Sequence, residues 1–359
     1  MNRVLLAVGT AVAIALGATT AASAVTASTT TSVTGVQIAP AYSSSAGVND
    51  RGDVIGNYST NTGFFWHAGK LTNLGELPGA DYAYAAALNA SGAVVGYSGI
   101  ASSTGSWSHA FVWRDGELTA LPDLGSSGQA AAINDSGTVA GAVDDASGDV
   151  IAAEWQHGKL ITLPGLGDTY SQATQVNDAG LVVGQSADAS GSTHAVVWVN
   201  GKAIDLGVGT TVAVNDRGQV LVNAYPNPGT QQAFIWDHGK KTELPAGTYA
   251  VALNNEGQVV GDVTISGTST ADGFVWQNST LTDLGLEQPT AINDRGQVVE
   301  YLYDNGLFDY QVRDADGSTI KLVPPTGTSA SATQINDKGL VAGYTEDTVT
   351  ATVWQLPNH

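Results

Sequence analysis

An all-β chain built as an eight-bladed β-propeller of four-stranded blades, the last blade closed by an N-terminal strand, is what this sequence predicts. Three observations carry that expectation. A turn unit of the form apolar-Asn-x-x-Gly-x-Val recurs eight times, with its asparagines at 49, 89, 134, 177, 215, 254, 293 and 336, and in six copies Asp follows the Asn. Nearly every copy is followed by an alternating strand that ends in tryptophan, as in HAFVW from His109, HAVVW from His194 and QAFIW from Gln232. A short polar strand then follows a tight turn, as in GKLTNLG from Gly69 and GKLITLP from Gly158. Self-similarity with a period near forty residues and several strands per period is the signature of propeller blades, and no copy holds a 3.6-residue apolar period long enough for a helical repeat.

Each element has a local reason. In the Asn-Asp-x-Gly turn, the asparagine side-chain carbonyl bonds back to the backbone and the glycine accepts positive φ as the chain reverses. The second strand, rich in valine, and the third, ending in tryptophan, supply apolar faces that only a neighbouring unit can cover. Seven of eight equivalent tryptophan positions hold tryptophan, and Val312 is expected to stand in at the eighth. The final unit ends at Trp354-Gln355-Leu356 without a fourth strand, while residues 32–38 (SVTGVQI) read as a strand without a unit. Joining the two ends leaves no open edge.

The chain of 359 residues carries 13 Lys and Arg against 33 Asp and Glu, a formal net charge of -20. That field repels phosphate backbones and anionic surfaces, which argues against nucleic acid. With hydrophobic residues at 43% and charged residues at only 13%, the chain is too apolar to be a disordered acidic tail. The absence of cysteine excludes disulfides, thiolate catalysis and cysteine-ligated metals. Met1-Asn2-Arg3, an apolar run over residues 4–16 and Ala22-Ser23-Ala24 match a cleaved secretory signal peptide over residues 1–24. Residues 25–31 then form a flexible lead, and residues 32–359 a single domain. The expectation is a secreted, extracellular protein with no membrane insertion.

The HAFVW run at residues 109–113, flanked by LNASGAVVG and GELTALPDLG, resembles the HAF-repeat family of predicted extracellular proteins. The resemblance covers residues 40–356. It implies secretion and a propeller-like repeat fold, and brings no catalytic residues with it. The name triplet is intact only at His109-Ala110-Phe111; Asp309-Tyr310-Gln311 departs from it completely.

No catalytic motif emerges from the residues themselves. G-x-S-x-G, H-E-x-x-H and the phosphate-binding G-x-x-x-x-G-K-[ST] are absent, and the histidines recur by repeat position, as packing or turn residues do. Two glutamates break the internal template: Glu154 before Trp155, and Glu300 where other units have glycine. The Asp-rich loops at residues 144–149 and 314–316 lack the full pattern of a calcium loop, so the sequence calls for no metal and no cofactor. Specificity is expected in the loops that join second to third strands and unit to unit, which blade topology places on one face. There the sequence puts Tyr82, Tyr84, Trp107, Tyr170, Tyr249 and Tyr344, with Asp81 and Asp168. Aromatic area beside carboxylates suits a glycan or a secreted protein as partner. The leading expectation is therefore a non-enzymatic binding module. A carbohydrate-active hydrolase or lyase using axial Asp or Glu, and a purely structural role, are the alternatives.

Overall fold

The computed structural model describes residues 31–102, 105–225, 230–264, 271–304, 306–327 and 329–357. The expected signal peptide and nearly all of the lead lie outside the described residues. Within them the chain is β-strand throughout, with no helix.

The strands fall into the repeats read from sequence. In the second unit, Tyr82–Leu88, Val94–Ser102, Gly105–Arg114 and Glu117–Ala120 pair in chain order as an antiparallel meander. The first and sixth units repeat this pattern as separate four-stranded sheets. The third, fourth and fifth are joined into one eleven-stranded assembly. One of its links is Lys202–Val214, a strand long enough to end the fourth unit and begin the fifth.

Glycine follows the valine pair of the second strand for a steric reason. The first strand carries a bulge beside it, so its carbonyl turns inward. A Cβ on Gly96 would lie 1.8 Å from the Tyr84 carbonyl oxygen, and one on Gly343 would lie 1.9 Å from that of Ser331. The apolar layer between units forms as the pattern predicts. Trp155 of the third unit packs with Val95 and Leu121 of the second, and its indole Nε1 donates to the Pro122 carbonyl at 2.6 Å. Trp198 and Trp354 repeat that bond to Pro164 and Val323, each at 2.8 Å.

The asparagines do more than cap their own turns. Each Oδ1 accepts the N–H four residues on, at 2.8–3.0 Å. Each Nδ2 donates to the backbone carbonyl of the next unit's asparagine, at 2.6–3.1 Å, and Asn336 donates back to Asn49. The residue after asparagine makes a second, outer set of links. Its N–H donates to the next unit's side chain at that same position, in seven bonds of 2.7–2.9 Å from Ala90 round to Asp50. The aspartates of the repeat therefore join units. The series breaks where Ala90 offers Asp50 no acceptor.

Two expectations about elements need correction. Residues 32–38 do not act as one strand. Thr31–Thr34 pairs in parallel with Thr319–Val323 as a fifth strand of the seventh unit, and only Val36–Gln37 pairs with the last strand, Thr350–Gln355. The chain changes sheet at Gly35, whose N–H donates to Val323 and whose missing Cβ would fall 2.7 Å from the Trp354 indole nitrogen. Val312 does not stand in for tryptophan either. Arg313 pairs with Val298 as Trp113 pairs with Val94, so arginine holds the tryptophan position.

Candidate functional site

The second unit brings Tyr82, Tyr84 and Asp81 to one place, while the Trp107 side chain stands on the opposite face of the same sheet. Tyr82 and Tyr84 lie two residues apart on its first strand, and Tyr97 faces Tyr84 from the second. Their ring centroids are 5.5–6.2 Å apart. The half-buried Trp107 begins the next strand, stacks on His109 at 4.7 Å, and offers its carbonyl to the Tyr82 hydroxyl. The Tyr84 hydroxyl donates to Asn61 Oδ1 of the first unit at 2.6 Å, which fixes the ring across the unit boundary. Asp81 accepts the Ala101 N–H and so braces the hairpin that carries Trp107. Burial raises the phenol pKa of Tyr82 and Tyr97, so these two hydroxyls stay protonated and able to donate at physiological pH.

The other expected residues lie elsewhere. Tyr170 and Asp168 belong to the fourth unit, where the Tyr170 hydroxyl donates to Gln172 and Asp168 lines a cleft of about 460 Å³ with Asp149. Tyr249 is exposed on the sixth unit. Tyr344 of the eighth sits near Tyr310 of the seventh. A second aromatic group, missed from sequence, surrounds that position. Tyr301 lies 5.3 Å from both Phe308 and Tyr310, and the exposed Tyr303 stacks on Phe308 at 4.8 Å. Its signal was the run YLYDNGLFDY, which reads as an irregular unit because it lacks tryptophan.

The two template-breaking glutamates are not a catalytic pair. Glu300 is fully buried and gripped by Gln311 Nε2 at 2.7 Å and by the Arg313 guanidinium at 2.8 and 3.0 Å. Burial raises its pKa while Arg313 pulls it back. Glycine, phenylalanine and tryptophan of the template have become glutamate, glutamine and arginine together, one polar replacement for one apolar contact. Glu154, also raised by burial, meets Gln156 at 3.4 Å. The cavity bounded by the first strands of five units, about 390 Å³, is lined by Ala46, Ala86, Ala252, Thr290, Thr333 and Gln334 among others, with no carboxylate in its lining. Carboxylates stand at its neighbour on the asparagine-turn side, where Asp50, Asp216, Asp294 and Asp337 accept backbone N–H groups. Among the described residues no three Asp, Glu or His are placed to share a metal ion. Asp145 turns its Oδ1 onto the N–H groups of Ser147 and Asp149.

Charge divides by loop type. Arg51, Arg217, Arg295 and Lys338 lie in the asparagine turns, and Lys70, Arg114, Lys159, Lys202, Lys240 and Lys241 lie in or just after the turn that follows the third strand. The loops joining second to third strands, and unit to unit, hold no lysine or arginine at all, but do hold Glu76, Asp81, Asp123, Asp145, Asp168 and Glu287.

No protein-family model and no curated protein matches the chain. Solved structures do. The β-propeller domain of the Trilobed protease from Pyrococcus furiosus aligns with TM-score 0.50 and 10% identity, over 77% of this chain and 98% of that one. The fold is a β-propeller. The acylaminoacyl peptidase of Pyrococcus horikoshii aligns with TM-score 0.49 and 11% identity over 78% of this propeller, which spans about half (53%) of that chain. The β-propeller domain of Myceliophteria thermophila Cps50 (Swd1) aligns over 90% of this chain and 100% of that one, with TM-score 0.44 and 12% identity. At such identities the likeness concerns fold alone.

Proposed function

We propose that the chain is a secreted, non-enzymatic binding module of the HAF-repeat type, an eight-bladed propeller whose second blade presents a glycan-binding surface. The cyclic series of eight asparagine bonds, from Asn49 round to Asn336 and back, supports eight blades in a closed ring. The pairing of Val36–Gln37 with Thr350–Gln355 supports closure through the N-terminal segment. One observation carries the functional reading: three tyrosine rings grouped beside Asp81, among loops that contain no cation. Aromatic rings stack on the apolar faces of sugars, their hydroxyls meet sugar hydroxyls, and the anionic surroundings favour uncharged or amino-bearing glycans over polyanions. A secreted protein is the other partner class this surface suits. The hydrolase or lyase alternative draws no support from the cavity between the first strands, whose walls carry no facing acids.

The mature protein on a glycan array and on intact bacterial cell walls, with the supernatant assayed for released sugar, tests this reading. Retention without release, lost in Tyr82→Ala and Tyr84→Ala, is the expected result. Release of sugar, or retention unchanged in both variants, overturns it.

A further inference from the structure

On the opposite side, the turn glycines report how closely neighbouring blades meet. The position a Cβ would take on Gly257 is covered by Gln219 of the preceding blade at 3.1 Å, and that on Gly296 by Gln258 at 3.1 Å. Arg114 covers Gly137 at 3.0 Å, and Asp53 covers Gly92 at 3.0 Å. At Gly218 the three nearest atoms all belong to His238 of its own blade, the first at 2.8 Å. The fourth blade has Leu181 where others place glutamine, and Val199 where Arg114 stands. Neither reaches across. A cleft of about 710 Å³ opens there between the fourth and fifth blades, against about 370 Å³ at the matching place between the first and second.

The cleft has an apolar floor and an orderly polar rim. Leu181 and the edges of Trp198 and Trp236 form the floor. His238 lies nearly parallel to Trp236, 6.3 Å away, and its Nδ1 is held by Asp237 at 2.7 Å. Arg217 pairs with Glu256 at 2.7 Å. Asp216 accepts the Asp178 N–H on one oxygen and the Asn255 amide on the other. Each rim charge is thus already answered within the protein, so neither a bare anion nor a bare cation finds an unmet partner. An amphipathic ring fits, with one apolar face and an edge of hydroxyls able to give and take hydrogen bonds.

We propose that this interblade cleft is a binding site for a neutral pyranose sugar, distinct from the tyrosine surface of the second blade. Its lining includes Leu181 and Val199, apolar side chains that the fourth blade carries where other blades place Gln219, Gln258 or Arg114 against the next turn glycine. The site stands whether or not the tyrosine cluster binds glycan.

The test titrates the mature protein with cellobiose, maltose and N,N′-diacetylchitobiose, read by tryptophan fluorescence and by saturation-transfer NMR. At least one disaccharide is expected to give a saturable response in the millimolar range. Leu181→Gln, which installs the residue that closes two other clefts, should weaken that response at least about tenfold with the melting temperature unchanged. Tyr84→Ala should leave it intact. No saturable response to any of the three up to ~50 mM, or a response that Leu181→Gln does not alter, overturns the proposal. A response lost only in Tyr84→Ala assigns the sugar to the tyrosine surface and equally overturns it.

Discussion

Asp262 should make this propeller more stable in mild acid than at neutral pH. Its place in the sixth blade is that of Asn57 in the first and Asn223 in the fifth. Those asparagines bond twice to the next blade, accepting the N–H and donating to the carbonyl of Ala85 and Ala250. Four residues before the next asparagine, where Ala85 and Ala250 stand, the seventh blade has Pro289, which has no N–H to give. Asp262 Oδ1 is accordingly buried without a hydrogen-bond partner, and burial pushes its pKa from 3.8 up to about 6. Tyr249 opposes it across the strand pair, Asp272 lies one residue further along the third strand, and Glu287 comes from the linker, so no cation offsets the charge from these elements.

The sign follows from linkage. The folded state holds this proton more tightly than the unfolded chain, so the stabilisation is full below about pH 4 and is lost as pH rises through 6. Two pKa units correspond to about 3 kcal/mol, and partial exposure reduces this to roughly 1–2 kcal/mol. In Asp262→Asn the amide keeps a donor for the Pro289 carbonyl at every pH. Urea unfolding at pH 5 and pH 8 should show the variant gaining roughly 1–2 kcal/mol over the parent at pH 8 and about half as much at pH 5. Equal pH slopes in the two proteins, or a variant less stable at pH 8, would refute the reasoning.

Three further perturbations probe the ring and its polar exception. Ala90→Asn supplies the acceptor that Asp50 lacks without adding charge, as Asn255 already does in the sixth blade, and should raise stability by about 0.5–1 kcal/mol, seen as a small rise in melting temperature. Asn254→Ala removes both a turn cap and an interblade bond from a buried position. It should cost about 2–3 kcal/mol in urea unfolding, well beyond the cost of Asp294→Ala in the outer set. Arg313→Ala leaves Glu300 buried and unpaired and should cost about 3–5 kcal/mol. The triple change Glu300→Gly, Gln311→Phe, Arg313→Trp restores the template and should recover most of that loss in the same assay.

Much of this architecture is legible because each repeat states its own local rules. Asparagine, glycine, paired valines and tryptophan name the turn, the bulge and the interblade layer at fixed offsets within forty residues. What the repeat conceals is how one copy meets the next. The aspartate links run between residues 38–45 apart in sequence, and an Asp beside an Asn looks the same whether it caps its own turn or its neighbour's. The N-terminal strand divides at Gly35 because Trp354 lies over it, a contact across the whole chain. Arg313 was misplaced by one residue because Val312 is the nearest apolar side chain, whereas register is set by pairing with Val298. The tyrosine grouping in the second blade follows from i, i+2 spacing on a strand and was readable, while Tyr170, Tyr249 and Tyr344 share only a topological face. The open cleft was invisible because it arises where Leu181 and Val199 stand in place of polar side chains such as Gln219 and Arg114, not from any motif.

The tyrosine surface of the second blade is proposed to hold a glycan without cleaving it. The direct measurement is a depletion isotherm of the mature protein on purified bacterial cell-wall polysaccharide, parent beside Tyr82→Ala/Tyr84→Ala/Tyr97→Ala, with reducing ends assayed throughout. Saturable binding by the parent, its loss in the triple variant with the fold intact by circular dichroism, and a flat reducing-end trace are the results predicted. Equal isotherms for the two proteins, or reducing ends that accumulate with the parent, would contradict it.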